Sequence, residues 1–267
     1  LPTPKTVENM VKNTDRTRDK ALIMAIWSSG GRIGEVLGLK WKDVLFQDEI
    51  VKVHFRSTKT GDSRKVPLRA GLLYLQELQE KDERSSDPEA FIFRNLNRDK
   101  QLSHGGVCEI LRKARENTDI PARIKTNPHA FRKGRATYLA SEGMNQAQLC
   151  QFGGWVQGSS HVAKYVRMAD SDVEQGIKEL TGLDSGEDQD KVDLTPVKCY
   201  ECKELNKFEA ENCSNCGTVL KSSKMFEQSQ IDEATDDLMF EIATSEAGFS
   251  EEEIKDKAQE LVKEKYK

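Results

Sequence analysis

Two CxxC pairs, Cys199–Cys202 and Cys213–Cys216, constrain one stretch of this 267-residue chain more tightly than any other feature does. Ten residues separate the pairs, and Gly217 follows the second. A CxxC segment makes a tight knuckle that turns both thiolates toward one tetrahedral ion, and glycine permits the turn. The surrounding residues are poor in apolar side chains, so the segment is expected to hold no fold without its metal. The spacing therefore predicts a zinc ribbon over residues 197–221, with structural zinc on Cys199, Cys202, Cys213 and Cys216. Cys108 and Cys150 stand singly in helix-like sequence and read as small buried hydrophobes. This cysteine usage suits a reducing compartment, and a cytoplasmic location is expected.

Charge divides the chain. Residues 1–183 hold 30 Lys and Arg against 23 Asp and Glu, whereas the remainder holds 11 against 22, within an overall net charge of −4. A basic body with an acidic appendage suits a polyanion binder whose appendage avoids that polyanion. The longest apolar run, Ala21–Trp27, is too short to span a bilayer, and no signal peptide opens the sequence, so no membrane partner is expected. Leu1 in place of Met is expected to mark a piece cut from a longer protein.

Periodicity predicts a buried helix from Arg18 to about Ser28, broken by Gly30 and Gly31, and a second helical pattern from Ile33 to about Trp41. Ile50–Phe55 alternates as a half-buried strand does, with Lys65–Leu68 as its partner and Thr60–Ser63 as the turn. Amphipathic helices are predicted over Ala70–Gln79 and Ser103–Glu116, with a charged loop over Lys81–Pro88. Pro128 suits the first turn of a helix running to about Ser141. Met144–Phe152, a short piece over Val162–Tyr165, and Ser171–Leu180 complete the helical predictions for the basic body. Residues 184–196 read as an acidic linker, and 222–267 as an acidic helical tail with a capping box at Ser250 and Glu253. The expected fold class is α+β, mostly helical, with a small antiparallel sheet, followed by the ribbon and the tail.

Within the basic body, cationic and hydrogen-bonding residues occur in short words: Arg32 in GGRIGEVLGLKW, Lys59 in STKTG, His129 and Arg132 in PHAFR, Trp155 in GGW, and Tyr165 in AKYVR. Attack on a phosphodiester without a metal needs an in-line nucleophile, cations on the non-bridging oxygens, and a proton donor for the leaving oxygen. Arginine grips phosphate bidentately and keeps its charge. Two arginines would neutralise charge building in the transition state. Lysine or histidine can protonate a leaving alkoxide, and a tyrosine oxygen can form a covalent link that stores the bond energy. Each word alone is a weak signal; their order is the informative part.

In that order the words resemble the tyrosine recombinase (phage integrase) family, over about Leu1 to Leu183, the span of the family's catalytic domain (residues 1–183). The resemblance implies that Arg32 is a phosphate clamp and Glu35 its support. It implies that Lys59, in a β-hairpin word running on to Arg64, Val66, Pro67 and Leu68, is the general acid for the 5′ oxygen. It makes Arg132 the second clamp, His129 a phosphate donor or proton shuttle, and Tyr165, ten residues after Trp155, the nucleophile. Trp155 stands where the family usually has histidine; its indole N–H can donate but moves no proton.

The family's chemistry uses no metal or ATP. The implied partners are double-stranded DNA and, on synapsed DNA, three further copies of the chain, with a monomer expected when free. Ser171–Leu180 is expected to dock on a neighbouring protomer. Family members also carry an N-terminal helical clamp, which this sequence does not include, so weak DNA binding is expected of this piece. The ribbon and tail are expected to contact protein, and the ribbon has an archaeal look. Three rival readings remain: a type IB topoisomerase-like enzyme, a catalytically inactive recombinase-like regulatory protein, and a zinc-ribbon transcription factor.

Overall fold

The computed structural model describes residues 1–56, 63–95, 100–116, 118–169 and 192–220. The chain divides into two compact units, Leu1–Pro196 and Val197–Lys267. The fold is α+β and mostly helical, with small antiparallel sheets.

The first unit is built around a helix with no polar face toward water. Helix α1 (Pro4–Lys12) starts where the Thr3 hydroxyl accepts from the Thr6 N–H and Pro4 takes the first turn. Helix α2 (Thr17–Ser29) buries every residue from Ala21 to Ser29, as a helix at the centre of a globule must. It stops at Gly30, whose φ of +53° glycine adopts without a Cβ penalty. Helix α3 (Ile33–Leu37) follows.

One extent and one element differ from expectation here. The pattern that pointed to helix as far as Trp41 is helical only to Leu37, and Trp41–Asp43 form a separate 3₁₀ turn. There Lys40 N–H donates to the Asp43 carboxylate, and the local hydrogen bond competes with continued helix. Strand β1 (Val44–Phe46), foreseen by no alternation, then pairs antiparallel with β2 (Val51–Phe55), which pairs with β3 (Arg64–Leu68). The register puts Val53 opposite Val66 and Val51 opposite Leu68, so one face of the sheet is apolar and buried.

Helix α4 (Leu72–Lys81) packs on α2. A polar hairpin absent from the sequence reading, β4 (Arg94–Asn95) with β5 (Lys100–Gln101), leads to α5 (His104–Arg115). Helix α6 (Pro128–Ser141) opens at Asn127, whose side chain accepts from Ala130 N–H at 2.9 Å. It packs on α2 through Phe131, whose ring meets Trp27 edge-on at 6.4 Å. Gly134 is needed because a Cβ there would lie 2.4 Å from the Pro2 carbonyl oxygen. Helices α7 (Gln146–Gly153) and α8 (Ser160–Ala169) close over a small core of Leu149, Cys150 and Val162. Helix α8 is longer than the short Val162–Tyr165 piece expected, because Val162 and Val166 both pack on this core and draw neighbouring turns into helix. Cys150 is buried as expected; Cys108 is only half-buried, with Sγ 3.7 Å from His104 Nδ1.

In the second unit, β6 (Val197–Lys198) pairs antiparallel with β7 (Leu205–Asn206). The turn at Thr60–Asp62, the Ser171–Leu180 helix, linker residues 184–191 and the 222–267 tail lie outside the described residues. Among the described residues, no helix is long and apolar enough to cross a membrane.

Candidate active site

A cleft of about 860 Å³ in the first unit is lined by Arg32, His129, Arg132, Trp155 and Tyr165. Four elements deliver them: Arg32 from the N-terminus of α3, His129 and Arg132 from the first turns of α6, Trp155 from just beyond α7, and Tyr165 from α8. Lys59 lies outside the described residues; the paired strands that flank it end at Phe55 and Arg64.

Arg132 is the buried member. It is 8% exposed, and its two Nη atoms donate to the carbonyls of Gly30 at 2.7 Å and Gly153 at 2.8 Å. Its guanidinium carbon lies 4.0 Å from the Trp155 ring centroid. Burial and the nearby Arg32 charge push its pKa down to about 10, which leaves it cationic at neutral pH. His129, three residues earlier, is exposed at the cleft wall. One helical turn thus supplies a fixed cation and an open donor.

Arg32 is half exposed. Its Nη2 donates to Gly154 O at 3.2 Å and its Nη1 to Glu35 Oε1 at 3.2 Å, while its backbone N–H donates to Glu35 Oε2 at 2.8 Å. Glu35 is buried. Burial would raise its pKa, but the hydrogen bonds from Arg64 and from the Arg32 backbone outweigh this and hold it down to about 2. The bidentate partner Arg64 was missed as a site residue in the sequence. The signal available was a second cation within the hairpin word, at a position whose side chain only the register could aim.

Tyr165 is half-buried against Trp155, ring centroids 5.8 Å apart and tilted by 46°. Burial raises its pKa and the Arg132 charge opposes the rise. The phenol is therefore protonated at rest. His104, Lys133 and Lys164, which the sequence reading did not single out, also line the cleft, and the two lysines add to its cationic character.

The Trp155 indole sits where any side chain at 153 would go. A Cβ on Gly153 would lie 1.8 Å from Trp155 Cζ3. Gly153→Ala is expected to expel the indole from its place over Arg132, lowering stability by roughly 1–3 kcal/mol. Thermal unfolding of the variant measures this; an unchanged transition would show that the ring packs elsewhere.

In the second unit, the sulfurs of Cys199, Cys202, Cys213 and Cys216 all lie within 4.8 Å of one another, with 3.6 Å between Cys199 and Cys216 and 3.5 Å between Cys202 and Cys213. Tetrahedral thiolates about 2.3 Å from zinc would be about 3.8 Å apart, so the four could hold a metal ion. Asn206 braces them. It is buried, donates to Glu204 O at 3.1 Å and to Cys213 Sγ at 3.5 Å, and accepts from both the N–H and hydroxyl of Ser214. Positive φ recurs just after each knuckle, at Lys203 and Gly217.

Comparison with known proteins finds relatives of the first unit. The chain is 27% identical over 139 residues to the tyrosine recombinase XerA of Pyrococcus horikoshii, covering 52% of this chain and 47% of that protein. It is 30% identical over 133 residues to a probable integrase/recombinase protein of Methanocaldococcus jannaschii, covering 48% and 39%. The chain thus spans about half or less of the length of these relatives. Among solved structures, the XerH site-specific recombinase bound to its difH substrate in a pre-cleavage complex matches with TM-score 0.52 at 18% identity, covering 66% of this chain and 51% of that one. The XerA recombinase crystal structure matches with TM-score 0.50 at 21% identity, covering 67% and 61%. At these identities the structures speak for the fold. The model of the phage integrase family matches residues 3–172, well over half of the chain, and the chain belongs to that family, the tyrosine recombinases.

Proposed function

We propose that the first unit cleaves and rejoins DNA strands through a 3′-phosphotyrosyl intermediate, as a site-specific recombinase. The observation that carries this reading is the gathering of Arg32, His129, Arg132, Trp155 and Tyr165 around one cleft. Tyr165 Oη attacks phosphorus, forming the O–P bond as the bond from phosphorus to the 5′ oxygen breaks. The phenol proton leaves during attack, with His129 as acceptor, and Lys59 supplies the proton that the 5′ oxygen takes up. Arg32 and Arg132 hold the non-bridging oxygens, and Trp155 offers its indole N–H to one of them. The free 5′-OH of a partner strand then attacks the phosphotyrosine, releasing Tyr165. Residues 1–183 form the catalytic domain in this reading, and residues 184–196 a linker. Four copies act on synapsed double-stranded DNA, and a free chain is monomeric. The work is done in the cytoplasm. The four cysteines hold zinc in a structural role, and the ribbon and tail contact protein.

The test exposes the protein to nicked random-sequence duplexes, followed by denaturation in detergent. A protein–DNA adduct at the DNA 3′ end is expected, and Tyr165→Phe is expected to abolish it without weakening DNA binding. No adduct from the unaltered protein under conditions where it binds duplex would favour an inactive regulatory scaffold. An adduct that persists in Tyr165→Phe would move the nucleophile elsewhere.

A further inference from the structure

Arg32 is expected to grip a phosphate, yet it already touches a carboxylate. An arginine paired one-to-one with a buried glutamate has its charge cancelled locally and little left for an anion. The pairing here is not one-to-one. Glu35 takes four donors: Oε1 accepts from Arg64 Nη1 at 2.9 Å and Arg32 Nη1 at 3.2 Å, and Oε2 from Arg64 Nη2 at 2.9 Å and the Arg32 backbone at 2.8 Å. The bidentate, charge-assisted bonds come from Arg64; the longest of the four is the one from the Arg32 guanidinium.

Arg64 is placed for this and little else. Its Nε donates to Phe152 O at 3.0 Å, and its guanidinium carbon stands 4.8 Å from the Phe55 ring centroid. Its side chain is 11% exposed, and it is not among the residues that line the cleft. Gly154, at φ +65°, makes room for it, since a Cβ there would lie 2.8 Å from Arg64 Nη1.

We infer that Arg64 is a positioning residue that takes up the charge of Glu35 and so leaves Arg32 with a net positive charge to offer a DNA phosphate. This inference rests on the proposed function for the identity of the anion. Glu35 then orients Arg32 while Arg64 absorbs the electrostatic cost of having a carboxylate beside a phosphate site. Two arginines and one glutamate leave a surplus of one positive charge, and Arg32 is the member of the set that lines the cleft.

A role in packing alone and a role in charge balance predict different double variants. In Arg64→Met, Glu35 pairs fully with Arg32, and single-turnover cleavage is expected to fall at least about tenfold, the loss of part of one preorganised cation. Adding Glu35→Gln to Arg64→Met removes the competing carboxylate, and cleavage is expected to recover most of that loss. If Arg64 only packs, the second substitution removes another bonded group and cleavage falls further, which overturns the inference. A wild-type rate in folded Arg64→Met also overturns it. If Arg64→Met does not fold, Arg64→Gln carries the same charge test while keeping a donor near the position of Arg64 Nε, toward Phe152 O.

Duplex binding gives a readout independent of chemistry. Each phosphate contact contributes about 0.9 to the slope of log affinity against log salt. That slope is expected to become shallower by about this amount in Arg64→Met and to return in the double variant. Absence of any adduct from the unaltered protein defeats the functional reading. An unaltered salt slope in Arg64→Met defeats the charge-balance inference.

Discussion

Arg132→Ala is expected to cost the protein both stability and cleavage. In the folded chain the Arg132 guanidinium satisfies the carbonyls of Gly30, which ends α2, and Gly153, which ends α7. Removing it leaves two buried acceptors without this donor, at about 1–3 kcal/mol each. It also removes the floor on which Trp155 rests. Cleavage is expected to fall by about 10²–10³ or more through loss of the preorganised charge. Arg132→Lys keeps the charge but cannot fork to both carbonyls, so it should recover less cleavage than its charge suggests. Urea unfolding together with single-turnover adduct formation separates the two effects. Full stability in the alanine variant would mean the loops at Gly30 and Gly153 hold themselves.

The second large effect concerns the cysteine module. Stripping metal with a chelator, or replacing Cys213 by serine, is expected to unfold residues 197–220. Structural zinc supplies on the order of 10–16 kcal/mol to isolated finger peptides, and this segment offers only small strands and little apolar surface in its place. Cobalt substitution reads out the site directly: four thiolates should give strong sulfur-to-metal absorption, lost with the Cys213 variant. Backbone amide spectra should then lose dispersion for residues 197–220. A module that stays folded in chelator would show that Asn206 and the β6–β7 pairing suffice without metal.

What the sequence disclosed and what it hid follow from the range of the forces involved. Helix α6 was legible because its signals are local: Asn127 caps, Pro128 fits the first turn, and the apolar face repeats. The buried α2 was legible from its uninterrupted apolar run. Strand β1 was not, since it is three residues long, partly exposed, and exists because β2 offers it an edge. The two-residue β4 and β5 are polar and carry no alternation to detect. At the cleft, Arg32, His129, Arg132, Trp155 and Tyr165 could be listed from the resemblance to the family, and the structure brings those five together. The sequence could not show which of two arginines on α3 and α6 would be buried, because that depends on carbonyls at positions 30 and 153, remote in sequence from Arg132. Arg64 was hidden for the same reason: its partner Glu35 lies on another element.

The contact between Gly153 and Trp155 also bears on how this site could change over generations. The indole occupies the volume a methyl group at 153 would need, so glycine is demanded by the neighbour and not by the backbone. A smaller ring at 155, such as imidazole, would lift that demand. The two positions are therefore epistatic, and order matters. Drift away from tryptophan first opens position 153 to larger residues, whereas change at 153 first carries the stability cost of displacing the indole while tryptophan remains. A proton-carrying histidine could stand at 155 without any change at 153, but the return to tryptophan would be opposed once position 153 had gained a side chain.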